Sequence, residues 1–164
     1  MSKARFEAGL KVRREVLGDE RVDKALAGLT ALTAPFQEYV TKDAWGDVWG
    51  RPQLDRRARS IVTLSILAAL RIEEELAGHV RGAIRNGLTP TEIGEIILQS
   101  AVYAGVPSAY AAMRVVQRTL AEMGFKEAMP LAVAKPDAKV AAPAKSRART
   151  KSARKAAAHK AQAK

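Results

Sequence analysis

The stretch "LTPTEIGEIILQSAVYAG", residues 88–105, decides the fold class. Thr89 suits an N-cap and Pro90 the first helical position. Glu92 stands where a carboxylate reaches back to the cap. Ile93, Ile96, Ile97, Ala101 and Ala104 then recur at the spacing of one buried helical face. Gly105 closes this helix and Pro107 opens the next, which carries Ala111, Met113, Val116 and Leu120. The rest of the chain offers no alternating apolar run and no Asn-Gly hairpin.

Moving outward from this stretch, the same signals repeat. Upstream, "EEELAGHVRGAIRNG" (73–87) ends in Asn86 and Gly87, a helix stop. Asp55 can cap a segment running through Leu70 that is apolar on nearly every side. That pattern predicts a helix buried in the middle of a domain. Thr33 and Pro35 mark another start, with Phe36, Tyr39 and Val40 at helical spacing, and Asp19 can cap a helix containing Val22, Ala25, Leu26 and Leu29. The expected fold class is all-α, with six or seven helices.

Composition divides the 164 residues in two. The net charge of +11 belongs mostly to residues 131–164, which hold ten Lys and Arg against the single acid Asp137, a net of +9. Residues 1–130 hold 18 basic and 16 acidic residues, a net of +2. The expected domain is therefore 1–130. The Ala-, Lys- and Pro-rich tail from 131 to 164 lacks aromatics and is expected to be disordered. The tail reads either as a solubilising extension or as an electrostatic contact for nucleic acid or another polyanion. There is no cysteine. That excludes disulfides, thiolate metal sites and cysteine nucleophiles, and fits a reducing cytoplasm. The N-terminus lacks a signal-peptide pattern. The longest uncharged apolar run, "SIVTLSILAAL" (60–70), is too short for a bilayer, which takes about 20 residues. A soluble protein without a membrane partner is expected.

Three constellations can hold chemistry. On the 73–87 helix Glu75 precedes His79 by one turn, so the carboxylate can orient the imidazole, raise its pKa and set its tautomer. The other reading is an exposed Glu–His pair worth a few tenths of a kcal/mol. In "DAWGDVWGRPQLDRRARS" (43–60), Trp45 and Trp49 can wall a pocket, and Arg51, Arg56, Arg57 and Arg59 lie beside a helix start suited to carboxylates. Equally open is a core Trp pair with arginines salt-bridged at the surface. In "VYAGVPSAY" (102–110), Tyr103 and Tyr110 can present hydroxyls to a pocket or pack with their tips in water. No HxxxH occurs, the second histidine lies in the tail, and the three glutamates spread around their helix, so no metal site is expected. There is no phosphate loop, dinucleotide fingerprint or Ser-His-Asp order.

Together, four blocks in order resemble the carboxymuconolactone decarboxylase family from about Arg5 to Met123. They are "FEAGLKVRREVLGDERVD" (6–23), "FQEYVTKDAWGDVWGRPQLDRRARS" (36–60), "EEELAGHVRGAIRNGLTPTEI" (73–93) and "ILQSAVYAGVPSAYAAM" (97–113). The resemblance implies an AhpD-like all-α fold and a homo-oligomer, a trimer or hexamer, with the pocket completed by a neighbouring subunit. Peroxidase relatives carry a CxxC pair upstream of a histidine, at positions that fall here on Ile72, Glu75 and His79. Their relay glutamate falls on Ser60. The dithiol is absent and the histidine remains, which disfavours the peroxidase branch. The implied activity is cofactor-free decarboxylation of γ-carboxymuconolactone to β-ketoadipate enol-lactone, in the protocatechuate branch of the β-ketoadipate pathway. The implied roles are His79 and Glu75 in catalysis, Arg51 and Arg59 on the carboxylates of a small dicarboxylate lactone, and Trp45 and Tyr103 lining the pocket. Alternatives are an AhpD-like enzyme for another carboxylate or lactone, and a helical oligomer that binds polyanions through its tail.

Overall fold

The structure, a computed structural model, describes residues 2–128, so the expectation of a disordered tail at 131–164 lies outside the described residues. Seven α-helices follow one another: α1 Ser2–Leu17, α2 Asp19–Ala27, α3 Ala34–Tyr39, α4 Arg56–Leu70, α5 Glu73–Arg85, α6 Pro90–Ala104 and α7 Val106–Glu122. A π-helical segment, Val40–Trp49, continues directly from α3, and a 3-10 turn, Lys126–Ala128, follows α7. No strand occurs among the described residues. The all-α expectation holds, and no described helix is long and apolar enough to cross a membrane.

The local signals act as their chemistry requires. The Thr89 hydroxyl accepts from the Glu92 backbone N–H at 3.2 Å, while the Glu92 carboxylate accepts from the Thr89 N–H at 2.9 Å. This reciprocal box satisfies two donors that a helix start leaves open. Asp55 caps α4 by accepting from the Ala58 N–H at 2.7 Å. Gly87 takes a φ of 89°, which lets the Leu88 N–H reach back to the Ala83 carbonyl at 3.0 Å and close α5.

Packing divides the helices between two apolar clusters. Leu64 and Ala68 of α4, Leu76, Val80 and Ala83 of α5, Ile93 and Ile97 of α6, and Val115, Val116 and Leu120 of α7 form the larger. Val16 and Leu17 of α1, Val22 of α2, and Trp45 of the π segment form the smaller, with Leu10, Leu26 and Trp49 against them. The second face of α4 differs from the expectation of complete burial. Ser60, Leu64 and Ala68 are buried, but Val62, Ile66 and Leu70 are exposed on the opposite side of α4. Within one chain, α5, α6 and α7 cover only one side of α4. On α6 likewise, Leu98, Val102 and Tyr103 are exposed.

The smaller cluster depends on a close approach. A Cβ on Gly9 of α1 would fall inside the van der Waals radius of the Thr41 carbonyl oxygen. Gly46 of the same π segment lies with its Cβ direction 3.6 Å from the Gly9 Cα. Two glycines thus let α1 lie directly on the π segment, and Arg5 of α1 pairs with Asp43 and Asp47 along it. Gly9→Ala is expected to lower stability by about 1–3 kcal/mol through overpacking. Gly94→Ala, where a Cβ meets nothing within 4 Å, is expected to raise it by up to about 1 kcal/mol through helix propensity. Urea unfolding of both variants measures the contrast.

Candidate active site

The site is built on the face of α5 turned toward the smaller cluster. Glu75, Gly78, His79 and Gly82 share that face at helical spacing. A Cβ at Gly82 would stand 3.0 Å from the Val16 carbonyl oxygen, so α1 and α5 nearly touch there. At Gly78 the empty space is taken by the Arg21 guanidinium of α2, which lies against the helix backbone. Arg21 donates from Nη2 to Glu75 Oε2 at 3.1 Å. The carboxylate expected to orient His79 is therefore held by an arginine beside it.

The His79 ring is half-buried against both tryptophans of the π segment. Its centroid lies 6.1 Å from that of Trp45, with ring planes 6° apart, and 6.1 Å from that of Trp49, with planes 24° apart. The two indoles stack at 5.2 Å. Burial is the largest influence on the imidazole and holds its pKa below the ordinary 6.5. Glu75 pushes upward and Arg21 downward, each by less. The rise in pKa expected from Glu75 is thus outweighed by desolvation, and the ring is neutral at neutral pH.

Of the four arginines near the α4 start, Arg56 pairs with Glu15 and Arg57 with Glu92. Arg51 and Arg59 make no ion pair among the described residues. Arg59 donates from Nη2 to the Arg51 carbonyl at 3.2 Å, and its Nε is buried without a partner. Arg51 is exposed two residues beyond Trp49. Tyr103 stands apart from the His79 cluster, 82% exposed on the outer side of α6.

One charged residue was missed in the sequence. Arg13 of α1 is only 7% exposed. Its Nη1 donates to Gln37 Oε1 at 2.9 Å and to Thr41 Oγ1 at 3.2 Å. Burial lowers its pKa most, nearby Arg21 lowers it further, and Glu75 opposes them. The signal lay in its register: Gly9, Arg13 and Val16 occupy one buried stripe of α1. A charged residue on such a stripe is conspicuous. The charges acting on His79 are Glu75 and Arg21, of opposite sign, and Arg13 in turn acts with both of them. No group of three or more His, Cys, Asp and Glu side chains gathers as metal ligands among the described residues.

Known proteins resemble this chain in sequence. Residues 34–118, from α3 into α7, match the carboxymuconolactone decarboxylase family. The chain is 49% identical over 118 residues to the nitrosuccinic acid decarboxylase npaB of Metarhizium robertsii, covering 72% of this chain and 82% of the relative. It is 42% identical over 121 residues to a 4-carboxymuconolactone decarboxylase of Acinetobacter baylyi, covering 74% of this chain and 90% of the relative. A 4-carboxymuconolactone decarboxylase of Pseudomonas putida matches over 45 residues at 49% identity, 27% of this chain and 94% of the relative. With more than half of the chain matched and two relatives aligned over most of their length, the chain belongs to the carboxymuconolactone decarboxylase family.

Proposed function

We propose that the chain is a carboxy-lyase that decarboxylates 4-carboxymuconolactone to β-ketoadipate enol-lactone without a cofactor, in the protocatechuate branch of the β-ketoadipate pathway. The observation that carries this reading is the His79 ring stacked on Trp45 and Trp49, its pKa lowered by burial. Such an aromatic cluster, with Arg51 two residues beyond Trp49, suits a small, flat, anionic substrate. The 42% identity to a protein named for that reaction supports it.

The chemistry follows from the substrate. The departing carboxylate is conjugated through a ring alkene to the lactone carbonyl. When the bond to CO2 breaks, its electron pair moves onto that carbonyl as a dienolate. A ring carbon then takes a proton and the carbonyl re-forms. Arg51 and Arg59, which have no carboxylate partner among the described residues, receive substrate carboxylates. His79 donates its N–H to the developing enolate oxygen, or a proton to carbon. A dianion entering the pocket raises the proton affinity of His79, which loads the ring at the moment it is needed. Glu75, held by Arg21, pushes the His79 pKa in the same upward direction. Trp45 excludes water and strengthens the surrounding fields.

The 49% identity to a nitrosuccinic acid decarboxylase favours a second reading, in which nitrosuccinate is the substrate. The two reactions have the same logic: a dicarboxylate loses CO2 next to an electron sink, a nitro group replacing the conjugated carbonyl. The protein also acts as a homo-oligomer, a trimer or hexamer. The exposed apolar faces at Val62, Ile66 and Leu70 and at Leu98, Val102 and Tyr103 meet neighbouring copies, and Tyr103 lines a pocket across that boundary.

Ultraviolet assays on both substrates, run without added metal or nucleotide, test the reaction. CO2 release from carboxymuconolactone is expected, and release from nitrosuccinate alone would transfer the assignment to it. His79→Ala should lower turnover by about two to four orders of magnitude. Arg51→Lys should chiefly raise KM through loss of the bidentate fork. Proton linkage gives an independent check. Because the folded His79 titrates below 6.5, the unfolded chain binds the proton first as pH falls. Stability is therefore lost from about that pH down to the depressed folded value and then levels off. His79→Gln should flatten this slope in urea midpoints taken between about pH 7.5 and about pH 5. Mass photometry should show an oligomer, and a fully active monomer would remove the shared-pocket reading of Tyr103.

A further inference from the structure

Two side-chain nitrogens are buried without a hydrogen-bond partner among the described residues, and both are guanidinium Nε atoms, of Arg13 and Arg59. Neither arginine has a carboxylate partner among them. Six other arginines, Arg5, Arg14, Arg21, Arg56, Arg57 and Arg81, each pair with an acid, and those among the described residues that do not, such as Arg51 and Arg118, are exposed to water. Arg13 is the extreme case, a buried cation whose hydrogen-bond partners among the described residues are the neutral Gln37 and Thr41. A buried charge left uncompensated costs several kcal/mol, and a neutral residue would hold Thr41 without that cost. Glu75 acts on this cation only from a distance and is itself bonded to Arg21, so no carboxylate among the described residues pairs with Arg13.

The place of the two arginines says which anion would suit them. Arg13 bonds Thr41, in the first turn of the π segment. Arg59 bonds the Arg51 carbonyl, just past the end of that segment. Between them lie Trp45 and Trp49, which stack on His79. The order along the segment is cation, imidazole, cation.

We infer that Arg13 is a substrate-specificity residue, and that a dicarboxylate lies along the π segment with one carboxylate toward Arg13, the other toward Arg51 and Arg59, and its reacting centre at His79. The inference rests on the decarboxylase reading for the identity of the substrate but not for its charge. It makes the site selective for dianions: a substrate with one carboxylate leaves one buried guanidinium unmatched and binds weakly for that reason. The neighbouring Arg21, already committed to Glu75, adds to the field without competing for the ligand.

The test separates charge matching from scaffolding. Calorimetric titration of the full chain uses a saturated γ-lactone bearing the same two carboxylates, which lacks the ring alkene and cannot react. Its two monomethyl esters serve as controls. The wild type should bind the diacid at least tenfold more tightly than either ester. Arg13→Met should weaken the diacid by about ten- to a hundredfold, raise KM by a similar factor and leave one ester nearly unaffected, abolishing the discrimination. Arg13→Lys keeps a charge without the fork and should fall between. If Arg13→Met fails to fold, the lysine variant decides by the same ratio. An equal loss for diacid and both esters, or an unchanged diacid affinity, would make Arg13 a clamp on Thr41 only and overturn the inference. Tight, Arg13-dependent diacid binding with no CO2 release from the unsaturated lactone would instead overturn the decarboxylase reading and leave the dianion site standing.

Discussion

Everything near His79 depends on α5 having two unlike faces. One face, with Leu76, Val80 and Ala83, is an ordinary apolar face of the larger cluster. The other presents Gly78 and Gly82, and the absence of side chains there lets α1 and Arg21 settle onto the helix backbone. Without that proximity the π segment carried by α1 would stand farther off, and the indoles would not reach the imidazole. The site is thus a packing product first: two small residues set the spacing, and aromatic stacking fills what the spacing leaves.

Its electrostatics follow from the same closeness. Drawing helices together removes water, and loss of water is the largest influence on both His79 and Arg13. Each responds by favouring its neutral form, but only the imidazole can discharge near neutral pH; the guanidinium stays charged. The outcome is a site in which the proton carrier rests uncharged beside the Arg21–Glu75 pair, while the charged Arg13 acts on that pair.

What the sequence disclosed was whatever is decided locally. The Thr89–Glu92 box, the Asp55 cap and the Gly87 stop each involve residues within a few positions, so their spacing alone predicts them. The π winding at Val40–Trp49 had no such signature, because it answers to the distant contact of Gly9 with Thr41. Glu75 illustrates the same limit: its distance from His79 in the chain was correct, but Arg21, 54 residues away, had first claim on it. The helix α1 carries charge on most sides and no cap signal, so the register that Arg13 shares with Gly9 and Val16 was its single mark in the sequence. The exposed outer side of α4 could not be foreseen either, since apolar composition does not say whether the covering surface comes from the same chain.

The pairing of Arg56 with Glu15 and of Arg57 with Glu92 bears on how such a protein could be retuned. Four guanidinium groups crowd nine residues, and acids on α1 and α6 silence two of them. The ligand charge that the pocket accepts is therefore a remainder, set by the acids as much as by the arginines. Neutralising Glu15, which lies outside the pocket, would free a third cation at its edge without touching any group that meets the ligand. A substrate of higher charge becomes reachable from the scaffold side. Glu92 offers no equivalent route, because the same carboxylate also starts α6.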